Sequence, residues 1–180
     1  VGIVSVSFVF GQVLEYINLK AMRTDIPAEI ASFYDQEKYE KSQRYHKEVT
    51  RFSFFTSTLG FVVSLLMLLL GGFGWVDGLL RTITENQVLL ALLFFGVLGI
   101  ASDLLTLPFQ WYGTFVIEEK YGFNKTTVKT FITDKLKGYI LGAIIGGGLL
   151  AALIYLIETI GPDFWIWFAT IACAFMLFMN

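Results

Sequence analysis

The chain has 180 residues, 56% of them hydrophobic and 17% aromatic, with 16% charged, a net charge of −2 and a mean hydropathy of +0.67. A soluble domain carries about 25% charged residues; here the deficit is concentrated in nearly charge-free runs of about 20 residues, the length that crosses a bilayer's hydrocarbon. The acidic balance offers nothing to nucleic acid, and the single cysteine, Cys173, has no partner for an internal disulfide.

The first apolar run, Val1 to Leu19, lacks a basic n-region and a small-residue cleavage site, so it reads as a span and not as a signal peptide. Glu15 lies near its end, within reach of water. The connection that follows is almost charge-balanced, with six acids against seven bases. In it, Ile26-Pro27-Ala28-Glu29 reads as a helix start with proline in the first turn. From Asp35 the pattern is helical and polar and leads into a second span, Phe52 to Leu70; Tyr34, Tyr39 and Tyr45 face either protein or headgroups. His46, the only histidine, sits in this polar stretch as a solvated side chain.

Next comes "GGFGWVDGLLRTITENQ", whose Trp75 and amphipathic turn from Val76 to Ile83 predict a short helix in the membrane interface. The third span, Val88 to Leu107, contains Asp103 about one helical turn from its end. A charge at that depth faces protein or a wet cavity, and both a polar-cavity role and a hydrogen-bonded structural role are open for it. After Pro108 a polar connection runs to the fourth span, Gly138 to Ile157, which begins with the ladder Gly138, Gly142 and Gly146. Glycines four apart favour close approach of another helix backbone, with a hinge beside a cavity as the alternative. Gly146, Gly147 and Gly148 together could also break the span. The fifth span, Phe164 to Met179, opens with Trp165 and Trp167 where an aromatic belt belongs.

Amides in hydrocarbon must be paired within their own segment, so the expected fold is an all-α integral membrane protein of about five spans, with a polar helical extension and an interfacial helix. Twelve of the thirteen basic residues fall in residues 20–51 and 108–137, and Arg81 alone lies in the other connections. The positive-inside rule places those two loops in the cytoplasm and the amino terminus outside. The chain starts at Val1 and stops in an apolar run, so residues 1–180 read as a single membrane domain, the N-terminal portion of a longer protein.

Within the second basic loop, "FVIEEKYGFNKTT" (Phe115 to Thr127) is unusually polar: Gly122 supplies a turn, and Thr126 or Thr127 caps the next helix. Glu118 and Glu119 are by composition acids, ligands or solvated charges. The wider segment "LPFQWYGTFVIEEKYGFNKTTVKTFITDKLKG", Leu107 to Gly138, resembles the "TFVIEEKFGFNKTT" region of type I CAAX prenyl proteases, which are membrane zinc metalloendopeptidases. The resemblance extends to "YEKSQRYHKEVTRFSF" (Tyr39 to Phe54), to "GGFGWVDGLL" and to "LLFFGVLGIASDLLTLPF".

That resemblance implies a helical bundle around a water-filled chamber, zinc in the full-length protein, and a peptide or lipidated-protein substrate reached through a catalytic half that carries H-E-x-x-H. No such motif occurs in this chain, so no catalytic or metal-binding residue is carried over and no cofactor is expected here. The family-like positions are Glu118, Glu119, Asn124 and Lys125, with structural or chamber-side roles implied. The short connections suggest a bacterial relative and hence a bacterial inner membrane. The alternative is a non-enzymatic membrane module: a transporter, channel or assembly scaffold.

Overall fold

The computed structural model describes residues 1–22, 26 and 35–179. The helix start expected at Pro27-Ala28-Glu29 lies outside them, as do Tyr34 and Asn180. The described chain is helical: α1 (Gly2–Ala21), α2 (Gln36–Leu69), α3 (Gly72–Arg81), α4 (Gln87–Tyr112), α5 (Val128–Leu141), α6 (Gly147–Ile160) and α7 (Phe164–Met179). π-helical turns continue α4 over Gly113–Glu118 and join α5 to α6 over Gly142–Gly146. Four helical runs are long and apolar enough to cross a membrane, and the last spans Val128–Phe178. That run turns at Gly161, with φ of +70°, followed by Pro162, which separates the fourth and fifth expected spans.

Each boundary has a local cause. Asp35 starts α2 by accepting hydrogen bonds from the amides of Glu37 (3.0 Å) and Lys38 (3.3 Å), so the polar extension and the second span form one 34-residue helix. Gly71, with φ of +71°, ends it. The Asn86 carboxamide caps α4 by accepting from Leu89 N at 2.9 Å. α3 starts four residues before the expected amphipathic turn and ends two short of Ile83; within it Val76 and Leu80 are buried, while Trp75 is 72% exposed.

Two expectations need correction. The helix that carries the third span does not stop at Pro108; it runs through the proline and on through Glu118. A proline removes one amide from the ladder, and membrane helices tolerate this where side chains support the turn. Gln110 Nε2 donates to Thr106 Oγ1 across the proline at 2.9 Å. The triple glycine does not break the fourth span, because the π-helical turn absorbs the irregularity and α6 continues from Gly147.

The chain forms two compact units, residues 1–73 with 104–126, and residues 74–103 with 127–180. In the first, α1 lies along α2, with Phe8 stacked on Phe61 at 4.1 Å between ring centroids. Phe52 and Phe55 of α2 meet Phe109, at 6.3 and 5.7 Å. Ile117 is the buried side chain of this unit among the described residues; Val76, Leu80 and Leu90 are those of the second. So small a core suits helices whose outer faces meet lipid, where apolar exposure carries no penalty.

Candidate functional site

The polar patch from Phe115 to Thr127 forms at a helix end. Gly122, with φ of +65°, takes the left-handed conformation that terminates the run from α4. Its amide donates to Glu119 O (2.9 Å), and Phe123 N donates to Glu118 O (2.9 Å), the two bonds of a Schellman motif. Asn124 then braces the turn twice, donating from Nδ2 to Glu119 Oε2 (2.9 Å) and accepting from Thr126 N through Oδ1 (2.7 Å). Thr127, of the two candidates, caps α5 by accepting from Thr130 N at 3.1 Å.

The turn presents Tyr121 and Phe123 to the polar part of α2. Glu48 Oε2 accepts from Lys120 Nζ (2.6 Å) and from the Tyr121 hydroxyl (2.7 Å). Tyr45 meets the rings of Tyr121 and Phe123 edge-on, at 5.6 and 4.9 Å, and Lys41 Nζ lies 5.5 Å from the Phe123 centroid. Lys41, Tyr45 and Glu48 are spaced four and three apart, one face of a helix. The hydrogen bonds from Lys120 and Tyr121 hold the Glu48 carboxyl below its usual range, and Glu48 in turn raises the Lys120 ammonium and the Tyr121 phenol.

Of the family-like positions, Glu119 and Asn124 are thus joined to each other. Glu118 contributes its backbone carbonyl to the turn, and Lys125 is exposed. Glu48 and Tyr121 are not marked as a site in the sequence; the signal available was the four-and-three spacing on α2 set against an aromatic-glycine-aromatic triplet.

Asp103 belongs to the second unit. Its two carboxylate oxygens accept from Lys135 Nζ and from the Tyr139 hydroxyl, both on α5. The ion pair is partly withdrawn from solvent, with side-chain exposures of 23% for Lys135 and 22% for Asp103. Asp103 also borders a cleft of 690 Å³ between α4 and the α5–α6 run, walled by Gly96 and Gly99 on one side and Gly138, Gly142 and Gly146 on the other. Asp103 is thus hydrogen-bonded to α5 and stands at the edge of this largely apolar cleft. A Cβ at Gly138, Gly142 or Gly146 would meet nothing within 4 Å among the described residues. Gly147 is the one in contact, 3.7 Å from Leu92 Cδ2 by the same measure.

No group of three or more His, Cys, Asp or Glu among the described residues could hold a metal ion. His46 stands at the edge of Tyr45, at 5.6 Å between ring centroids. The donor set a zinc site needs is thus not assembled by these residues.

Comparison with known proteins supplies what the geometry does not. The family described as CAAX prenyl protease N-terminal, five membrane helices, matches residues 15–180. The CAAX prenyl protease 1 homolog of Arabidopsis thaliana is 31% identical over 170 residues, covering 90% of this chain and 40% of the plant protein. The probable CAAX prenyl protease 1 of Schizosaccharomyces pombe is 33% identical over 156 residues, covering 79% of this chain and 33% of the other. The crystal structure of S. mikatae Ste24p superposes with a TM-score of 0.88 at 28% identity, over 98% of this chain and 43% of that one. The chain thus spans well under half the length of these relatives.

Proposed function

Because the chain belongs to the CAAX prenyl protease family, as the family's N-terminal portion with its membrane helices, we propose that it forms the non-catalytic wall of a chamber in a zinc metalloendopeptidase acting on CAAX-type or other membrane-associated peptides. The observation that carries this is the family match over residues 15–180 together with the superposition on Ste24p over 98% of the chain. On this reading residues 1–180 work as a single membrane domain, and zinc belongs to a part of the protein outside them, as the family implies; the described residues hold no group of three or more His, Cys, Asp or Glu that fits a metal ion. Glu119 and Asn124 serve by fixing the turn after α4, and Asp103 by tying α5 to α4 beside the cleft. The basic loops face the cytoplasm, and the brevity of the connections supports a bacterial inner membrane.

The test is zinc content and peptide cleavage, measured on residues 1–180 and on a polypeptide extended by the segment that follows this portion in the relatives. The shorter chain is expected to purify without zinc and without activity, and the extended one to hold about one zinc and cleave. Stoichiometric zinc on residues 1–180 would refute the assignment, and an extended protein with neither property would favour a non-enzymatic membrane module.

A further inference from the structure

α1 carries two different faces. Ile3, Val6, Phe10, Val13 and Ile17 recur at helical spacing and are 85%, 70%, 64%, 48% and 54% exposed, the face a membrane helix turns to lipid. Ser7, Gly11, Glu15 and Asn18 recur four, four and three apart on another face, which is also exposed and borders α2. Across from it α2 presents Thr50, Ser53 and Ser57, spaced three and four apart. The two stripes border an open groove of 450 Å³.

Toward Phe8 the helices are closed by the Phe8–Phe61 stack and by Gln12, which donates to Ser57 Oγ at 2.7 Å. Toward Glu15 no side chain of the described residues bridges them. Glu15, Asn18, Thr50 and Ser53 line the groove with side-chain donors and acceptors that no described residue takes up.

From the proposed peptidase reading, on which this inference rests, we infer that the slot between α1 and α2 binds an extended peptide segment with a basic side chain against Glu15. An amide and two hydroxyls offer both donors and acceptors, which matches a peptide main chain with its alternating N–H and C=O groups. The Glu15 carboxylate only accepts, and it selects an ammonium or guanidinium. Gly11 to Asn18 spans about 10 Å of helix, room for about three residues of extended chain. The apolar, lipid-facing stripe on another side of α1 has no polar group and supplies the internal control.

The experiment places a photo-crosslinking amino acid at Ser53, or at Phe10 as control, in the extended protein held in lipid nanodiscs. The probes are a biotinylated ten-residue peptide with one central lysine and the same peptide with norleucine in its place. The lysine peptide is expected to crosslink from position 53 about tenfold more than from position 10, and Glu15→Gln is expected to reduce its yield to that of the norleucine peptide. Equal yields from the two positions, or a lysine preference that survives Glu15→Gln, would overturn the inference. Crosslinking of the expected pattern without cleavage would leave the groove standing and count against the peptidase reading instead. Circular dichroism and elution volume of each variant establish that a lost crosslink is not a lost fold.

Discussion

Glu48 takes two donors on one oxygen, and the consequence is a pH window that can be worked out from the groups themselves. Its carboxyl is held below the ordinary 4.5 by the hydrogen bonds from Lys120 and Tyr121, so its contribution is present above that value and lost as pH falls through the lowered one. Lys120 and Tyr121 are both raised by Glu48, so theirs is present below the ordinary 10.5 and 10.0 and lost as pH rises through the raised values. The clasp is therefore intact across the neutral range and opens at both ends. In Glu48→Gln the Tyr121 phenol is expected to titrate lower than in the parent, as read from phenolate absorbance with Tyr121→Phe as the blank; an unchanged titration would remove Glu48 as the cause. Tyr121→Phe itself forfeits one hydrogen bond, about 0.5–1.5 kcal/mol. Gly122→Ala puts a Cβ on a residue at φ of +65°, which costs about 1–2 kcal/mol. Thermal unfolding in detergent is expected to show both as a lower midpoint.

At the level of helices, the spans were legible because hydrocarbon leaves a long charge-free run only one way to pair its amides. The turn at Gly122 was legible for a related reason, since it stands where a run ends; Gly71 and Gly161 take the same positive φ at the ends of α2 and α6. Pro108 misled because a proline marks a helix end in water, where nothing compensates for its missing amide, whereas here Gln110 and Thr106 support the turn. The clasp could not be read, since Glu48 and Tyr121 are 73 positions apart and a solvated glutamate looks the same in sequence as a paired one. The glycine ladder separates two physical readings at a single position. If Gly142 packed against a backbone, Gly142→Ala would overpack it at a cost of about 1–3 kcal/mol. With open space at the Cβ position, the substitution is expected to be neutral or to stabilise by up to about 1 kcal/mol through helix propensity. The melting midpoint decides between them.

For the whole molecule, the distribution of charge makes a statement that no pairwise contact makes. Lysines and arginines crowd two connections and avoid the other two, although acids are present in both kinds; Asp77 and Glu85 lie in the connection whose one basic residue is Arg81. That Arg81 is tied to Asp77 at 2.7 Å, so its charge is locally cancelled. Translocation across an energised membrane disfavours loops rich in free cations, and acids contribute little to the bias, which is why the basic count and not the net charge sets orientation. Residues 20–51 and 108–137 should then remain on the cytoplasmic side while α3 lies at the opposite interface. Cys173 is first replaced by serine, and single cysteines are introduced as Gln43→Cys in α2 and Gly78→Cys in α3; both parent residues lie outside the apolar runs, and a Cβ at Gly78 meets nothing within 4 Å. In intact spheroplasts a membrane-impermeant maleimide is expected to label position 78 and not position 43, and detergent permeabilisation to expose position 43. The reverse pattern would invert the topology, placing the basic loops outside and leaving their charge bias without a physical cause.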